Sequence, residues 1–196
     1  MGGTGAAGPQ QAGRPRPPKA PGWESVRGDE RGTRADQVRQ AVATVRLEVF
    51  VQEQQVPLSL EMDARDDQPT TIHLLVRGQG GEPLGAARLL LEPEHPGQVH
   101  LGRLAVRRHA RGTGLGARLV TAVEQEALAR ATARLGPQAA AWGGVPAGTY
   151  GVVVLLSAQE QALGFYERCG YQTVSGRRYL DAGIWHQDMA RLLCPA

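Results

Sequence analysis

Four valines, Val38, Val42, Val45 and Val49, recur at three- and four-residue intervals downstream of Thr33, which places them on one face of a helix. Thr33 and Asp36 have the spacing of a capping box, and Pro57 closes the segment. Ahead of it, Trp23 to Arg27 reads as a first short strand. Thr71–Arg77 and Leu84–Leu91 read as strands joined by the turn Gly78 to Pro83. Val99–Val106 is a fourth strand and runs directly into a second glycine-rich turn. Leu115, Leu119, Val123 and Ala127 then share one face of a helix expected over about 115–134. Residues 136–150 are rich in Ala, Gly and Pro and read as a loop that contains Trp142. Gly151–Leu156 is continuously apolar, as a strand buried on both faces should be. Ser157 and Glu160 repeat the capping-box pattern and open a helix that Gly170 stops. Short strands near Tyr171–Val174 and Ile184–Met189 complete the order β-α-β-β-β-α-β-α-β-β, an α/β domain with a mixed sheet.

The chain has 196 residues, enough for one well-buried domain and few for two. Residues 1–21 are dominated by Gly, Pro, Gln and Ala and are expected to form a disordered tail before a single domain over 22–196. Six of the 22 Lys+Arg residues fall in 1–34, against three of the 19 Asp+Glu, so the rest of the chain carries sixteen of each. The basic excess therefore marks no nucleic-acid face. Cys169 and Cys194 have neither a metal spacing nor a disulfide framework, so no metal is expected and a reduced, cytoplasmic setting fits. An apolar run long enough for a membrane helix is lacking, and the N-terminal region has no signal-peptide core. The oligomeric state is left open, a homodimer among the options.

The chemistry begins at the turn Arg111-Gly112-Thr113-Gly114-Leu115-Gly116, between a strand and a helix. Such a turn points several backbone N–H groups into one concavity at the positive end of a helix dipole. Its glycines let an anion approach the main chain, and Arg107, Arg108 and Arg111 add charge. No Lys-Ser/Thr follows the last glycine, so this is no Walker A loop, and the dinucleotide spacing Gly-x-Gly-x-x-Gly does not match. A pyrophosphate cradle is the expectation.

Arg111, Gly114 and Gly116 match the spacing Arg/Gln-x-x-Gly-x-Gly/Ala, and the chain thereby resembles the GNAT superfamily of acetyltransferases. A second block, Gln159, Ala162, Phe165, Tyr166, Glu167, Gly170 and Tyr171, is similar to that superfamily's other characteristic stretch, with Gln159 where Asn is more usual. Arg46, Val49, Phe50, Glu53, Gln54, Val56 and Pro57, then Glu61, Asp63, Asp66 and His73, resemble the ElaA/YjcF branch, as does the run from Asp181 to Met189. Trp185 departs from that branch, as does the long loop 136–150; the resemblance covers about residues 23–191.

The resemblance implies the GNAT fold, a mixed, mostly antiparallel central sheet flanked by helices, and acetyl-CoA as co-substrate. It implies that Leu104, Ala105 and Val106 line the pantetheine, that the turn from Arg111 to Gly116 takes the pyrophosphate, and that Gln159 borders the cofactor. Tyr166 falls at the position of the acid that protonates departing CoA; a phenol near pKa ~10 is matched to a thiol near ~8.5. The base is open among Glu61, Asp63, Asp66, His73, His186 and a water chain. Glu61, Asp63, Asp66 and His73 fall on the acceptor side, where carboxylates would attract a cationic amine. The expected activity is N-acetyl transfer to a small-molecule amine by direct attack in a ternary complex. Transfer of a longer acyl group and a non-catalytic acyl-CoA sensor are the alternatives. The acidic run is also similar to autoinducer synthases, but those lack the Arg-x-x-Gly-x-Gly turn, which favours acetyl-CoA.

Overall fold

In the computed structural model, which describes residues 22–195, the valine stripe is buried as its spacing requires. The tail 1–21 lies outside the described residues. Strand β1 (Glu24–Arg27) precedes helix α1 (Thr33–Arg46), which continues through π-helical turns over Leu47–Glu53. A short α2 (Leu58–Glu61) leads to β2 (Thr71–Arg77), β3 (Pro83–Leu91) and β4 (Gln98–Val106). Then come α3 (Leu115–Ala131), β5 (Ala133–Arg134), α4 (Pro137–Gly143), β6 (Tyr150–Gln159), α5 (Leu163–Arg168), β7 (Gln172–Asp181) and β8 (Ile184–Leu193). The sheet order is β1-β2-β3-β4-β6-β8-β7, and the one parallel pairing among the described residues is β4 with β6.

Side-chain alternation divides the core between the two faces of this sheet. Leu74, Leu89, Val152 and Val154 meet Leu119, Val123 and Ala127 of α3 on one face. On the other, Leu75, Ala86 and Ala105 pack against the valines of α1, while Val153 and Leu155 pack against Ala139 and Ala140 of α4. Helices α1 and α4 thus cover opposite ends of one face and leave the middle of the sheet between them.

Several local expectations are corrected. Neither capping box forms. Gly32, at φ 116°, is the N-cap of α1 without a side-chain cap, and the Asp36 carboxylate pairs with Arg39. Ser157 stays in β6, because Ser157, Ala158 and Gln159 pair with Asp188, Gln187 and His186. Sheet pairing there outcompetes the local cap, and α5 starts only at Leu163. Helix α3 ends at Ala131 because Thr132 turns extended, bonds the Leu128 carbonyl through its hydroxyl, and frees Ala133 and Arg134 to pair with β6. The 136–150 region contains a helix, α4, started by Pro137 in its first turn and stopped by left-handed Gly144.

Candidate active site

Strands β4 and β6 pair only at Gln98–Val153, Val99–Val154 and His100–Leu155, then part. The register of β4 against β3 shifts between Ala86 and Arg88, so that Arg103 and Leu104 bulge opposite Ala87. Arg103 sits at φ 52°, a left-handed conformation that costs a side-chain-bearing residue about 1–2 kcal/mol. Its guanidinium is held by the Leu60 carbonyl at 2.7 Å and by Glu61 at 3.0 Å. Beyond the bulge, the Arg107 N–H donates to the Leu84 carbonyl of β3. By strand alternation Ala105 also faces β3, and Leu104 and Val106 turn their main-chain groups into the notch. The resulting cleft encloses about 1270 Å³, above the roughly 300–1,000 Å³ of a drug-sized pocket.

The glycine turn forms one wall. Gly112 and Gly114 adopt φ 78° and 82°, and added Cβ atoms would meet nothing within 4 Å, so the turn is open where a ligand would lie. The first bond into α3 runs from the Arg118 N–H to the Gly114 carbonyl. The N–H groups of Leu115, Gly116 and Ala117 therefore have no partner within the helix. Gly116 is small for a different reason: a Cβ would press on the Phe165 ring at 3.2 Å. Thr113 locks the turn by donating to the Ala110 carbonyl at 2.7 Å, and Leu115 is buried in the core. Neither side chain lines the cleft, so only their main chain is available. Arg111 lines it but is committed elsewhere, bonding the Val106 carbonyl at 2.9 Å and Glu53 at 2.7 Å. These features fit a diphosphate joined to an extended, amide-bearing chain.

Also lining the cleft, Tyr166 of α5 packs edge-on against Phe165 and Tyr171 at ring distances of 4.9 and 5.9 Å. Burial pushes its phenol far above the ordinary value, so it remains protonated but is a weaker acid than the ordinary phenol that matched a thiol in the sequence. Gln159 also reaches the cleft and donates to Gln54 at 2.8 Å, tying β6 to the end of the first helical arm.

The acidic segment requires a correction. Arg46, only 1% exposed, bonds both Asp66 oxygens at 2.8 and 3.0 Å, the Glu61 carboxylate and the Glu61 carbonyl at 2.6 Å. Arg88 joins Asp63 and Asp66, each at 2.9 Å. Despite its burial, the arginine hydrogen bonds hold the Asp66 carboxyl down at about 2. His73 is buried and donates from Nε2 to the Asp66 carbonyl at 2.7 Å, and burial lowers its pKa. Of these four residues only Glu61 lines the cleft, and Arg46 and Arg103 already neutralise it. Three arginines balance three carboxylates in an internal network. The expectation of free acceptor-attracting charge on Glu61, Asp63, Asp66 and His73 gives way to that geometry.

Two polar residues on the cleft escaped the sequence reading. His100 stands where β4 and β6 part, and its Nδ1 lies 3.0 Å from Glu92 Oε1. Both line the cleft. The signal for His100 was a polar residue within a strand, and Glu92, just past the end of β3, carried none. His186 also lines the cleft, its Nδ1 bonded to the Ile184 carbonyl at 2.9 Å and its ring stacked on Tyr179.

The sequence profile of the acetyltransferase (GNAT) domain matches residues 70–173, from β2 through the notch, the glycine turn and α5. The chain belongs to the GNAT acetyltransferase family. It is similar to the uncharacterised N-acetyltransferase YjcF of Bacillus subtilis (strain 168), with 34% identity over 147 residues, 75% of this chain and 87% of that protein. Among solved structures, an acyl-CoA N-acyltransferase from Pseudomonas aeruginosa is 30% identical, with a TM-score of 0.66 over 86% of this chain and 97% of that one. Escherichia coli ElaA, 24% identical, shares the fold at a TM-score of 0.65 over the same shares of the two chains. This GNAT protein is therefore an acyltransferase with the α/β, mostly antiparallel sheet of its family. Among the described residues, no group of His, Cys, Asp and Glu could hold a metal ion, and no helix is long and apolar enough to cross a membrane.

Proposed function

We propose that the chain moves an acetyl group from acetyl-CoA to the primary amine of a small acceptor, by direct attack with both substrates bound. The observation that carries this reading is the unpaired edge of β4, running between the glycine turn and Tyr166. An extended pantetheine chain can pair there as an added strand, while the N–H groups at the start of α3 take the diphosphate. An N–H on the same edge gives the negative charge growing on the thioester oxygen a fixed donor. His100, with Nδ1–H donating to Glu92, keeps Nε2 as its basic nitrogen and takes one proton from the acceptor's ammonium. The freed nitrogen bonds to the thioester carbon as the carbon–sulfur bond breaks. Tyr166 gives its proton to the departing sulfur and is reprotonated at the expense of the second amine proton. One amide, one thiol and one proton result. Glu92 also supplies negative charge at the point where a cationic acceptor must lose its proton.

Thiol release from acetyl-CoA across a panel of amines tests the reading. Turnover with at least one primary amine is expected, fastest with the two-carbon thioester. CoA binding without release from any amine would leave an acyl-CoA sensor, and faster release from octanoyl-CoA would make the enzyme a longer-chain acyltransferase. Tyr166→Phe should keep acetyl-CoA affinity while turnover falls about 100-fold, the scale of acid catalysis. His100→Gln should cost a comparable factor at neutral pH and recover as the pH approaches that of the free amine. His186→Gln should retain most of the wild-type rate; a reversed ranking of the two histidine variants would move the base to His186.

A further inference from the structure

A second cavity of about 160 Å³ opens on the α4 face of the sheet, where the loop was expected. Trp142 of α4, Leu155 of β6 and Val174 of β7 give it apolar walls. His100 and Ser157 line both this cavity and the large cleft, so they mark the junction between the two. Asp188 lines the cavity beside them. Its Oδ1 accepts from Ser157 Oγ at 3.0 Å and lies 2.6 Å from Tyr179 Oη, which fixes the carboxylate in place. Glu92, bonded to His100, adds a second carboxylate on the cleft side.

Charge and size together define what fits. A cation moving in from the cleft meets Asp188 and Glu92 at the junction, then apolar surface beyond it. A cavity of about 150 Å³ in another protein admits benzene, so this one has room for a ring and little more. We propose that it is the acceptor subsite, and that the acceptor is a primary amine carrying a ring-sized apolar group on a short linker. The inference rests on the acetyl-transfer reading above. The amine nitrogen then lies at the junction within reach of His100, and the ring rests between Trp142, Leu155 and Val174. The same geometry disfavours polyamines, whose second cation would enter an apolar chamber, and amino acids, whose carboxylate would face Asp188. Trp142 and the helix that carries it are thus specificity elements.

Steady-state kinetics at saturating acetyl-CoA should compare 2-phenylethylamine, propylamine, spermidine and β-alanine, with calorimetric titration of 2-phenylethylamine in parallel. The expected result is a kcat/KM for 2-phenylethylamine at least tenfold above the other three. Val174→Trp, which fills the chamber, and Trp142→Ala, which removes a wall, should each cut that preference at least tenfold, and Val174→Trp should abolish the calorimetric signal. Spermidine or propylamine matching 2-phenylethylamine, or a preference unchanged in both variants, overturns the subsite. If 2-phenylethylamine binds wild type and not Val174→Trp, yet no amine releases CoA, the subsite stands and the transfer reading fails. If amines are acetylated without binding in this chamber, the transfer reading stands and the subsite fails.

Discussion

Arg46→Met should lower the unfolding free energy by about 3–5 kcal/mol, the cost of removing one partner from a buried ion pair. The side chain is almost fully enclosed and bonds Glu61 and Asp66, two carboxylates that fold inward to meet it. Methionine fills much of the volume and offers no donor. Asp66 would keep Arg88, but Glu61 would be left with Arg103 alone, at the edge of the cleft. Urea denaturation monitored by circular dichroism measures the loss, and a melting temperature lower by roughly 10 °C should accompany it. Arg46→Lys should rescue only part, because a single ammonium cannot bond both carboxylates in the fork geometry of the guanidinium. A variant as stable as wild type would show that the network's Coulombic gain merely cancels its desolvation. Loss of activity at low denaturant should run ahead of unfolding, because Glu61 also holds the guanidinium of Arg103 and, through it, the bulge of β4.

Gly114→Asp should abolish measurable CoA binding while the protein stays folded. The position tolerates a Cβ sterically, since nothing lies within 4 Å of it, so the cost to the fold is the left-handed φ of 82°, about 1–2 kcal/mol. The carboxylate, however, would occupy the space that the N–H groups at the start of α3 face, with a charge of the same sign as the ligand. A loss of at least 100-fold in affinity corresponds to about 2.7 kcal/mol, well within what a like charge in a diphosphate cradle imposes. Gly114→Ala separates the two effects: it carries the backbone strain without the charge and should lose only a few-fold. Calorimetric titration with CoA reads both variants. Equal affinity in wild type and Gly114→Asp would remove the turn from the cofactor site.

The elements that could be read from the sequence were those whose signal is periodic or local. The α1 valines and the apolar run of β6 fell on their predicted faces because burial follows the same repeat that the residues display. The glycine turn was legible as a turn because the positive φ of Gly112 and Gly114 favours residues without a Cβ. Charge was less legible. Glu61, Asp63 and Asp66 look like a solvated cluster along the chain, and only folding brings Arg46, Arg88 and Arg103 from one helix and two strands to neutralise them. Ser157 failed as a cap for a similar reason: pairing with β8 satisfies that main chain before a helix can start. His100 carried no local sign of its place, since its position at the parting of β4 and β6 depends on a parallel pairing between residues 55 positions apart.

That pairing has a mechanical consequence. Three residue pairs of β4 and β6 are all that zips β1 through β4 to the half-sheet of β6, β8 and β7, with α3 packed across both halves from behind. Under the proposed reading, an extended ligand in the notch adds its amide bonds to the free edge of β4, beyond the three pairs that β4 makes with β6. Breathing of the two halves, and with it exchange of the Leu104 and Val106 amide protons with solvent, becomes a direct gauge of occupancy.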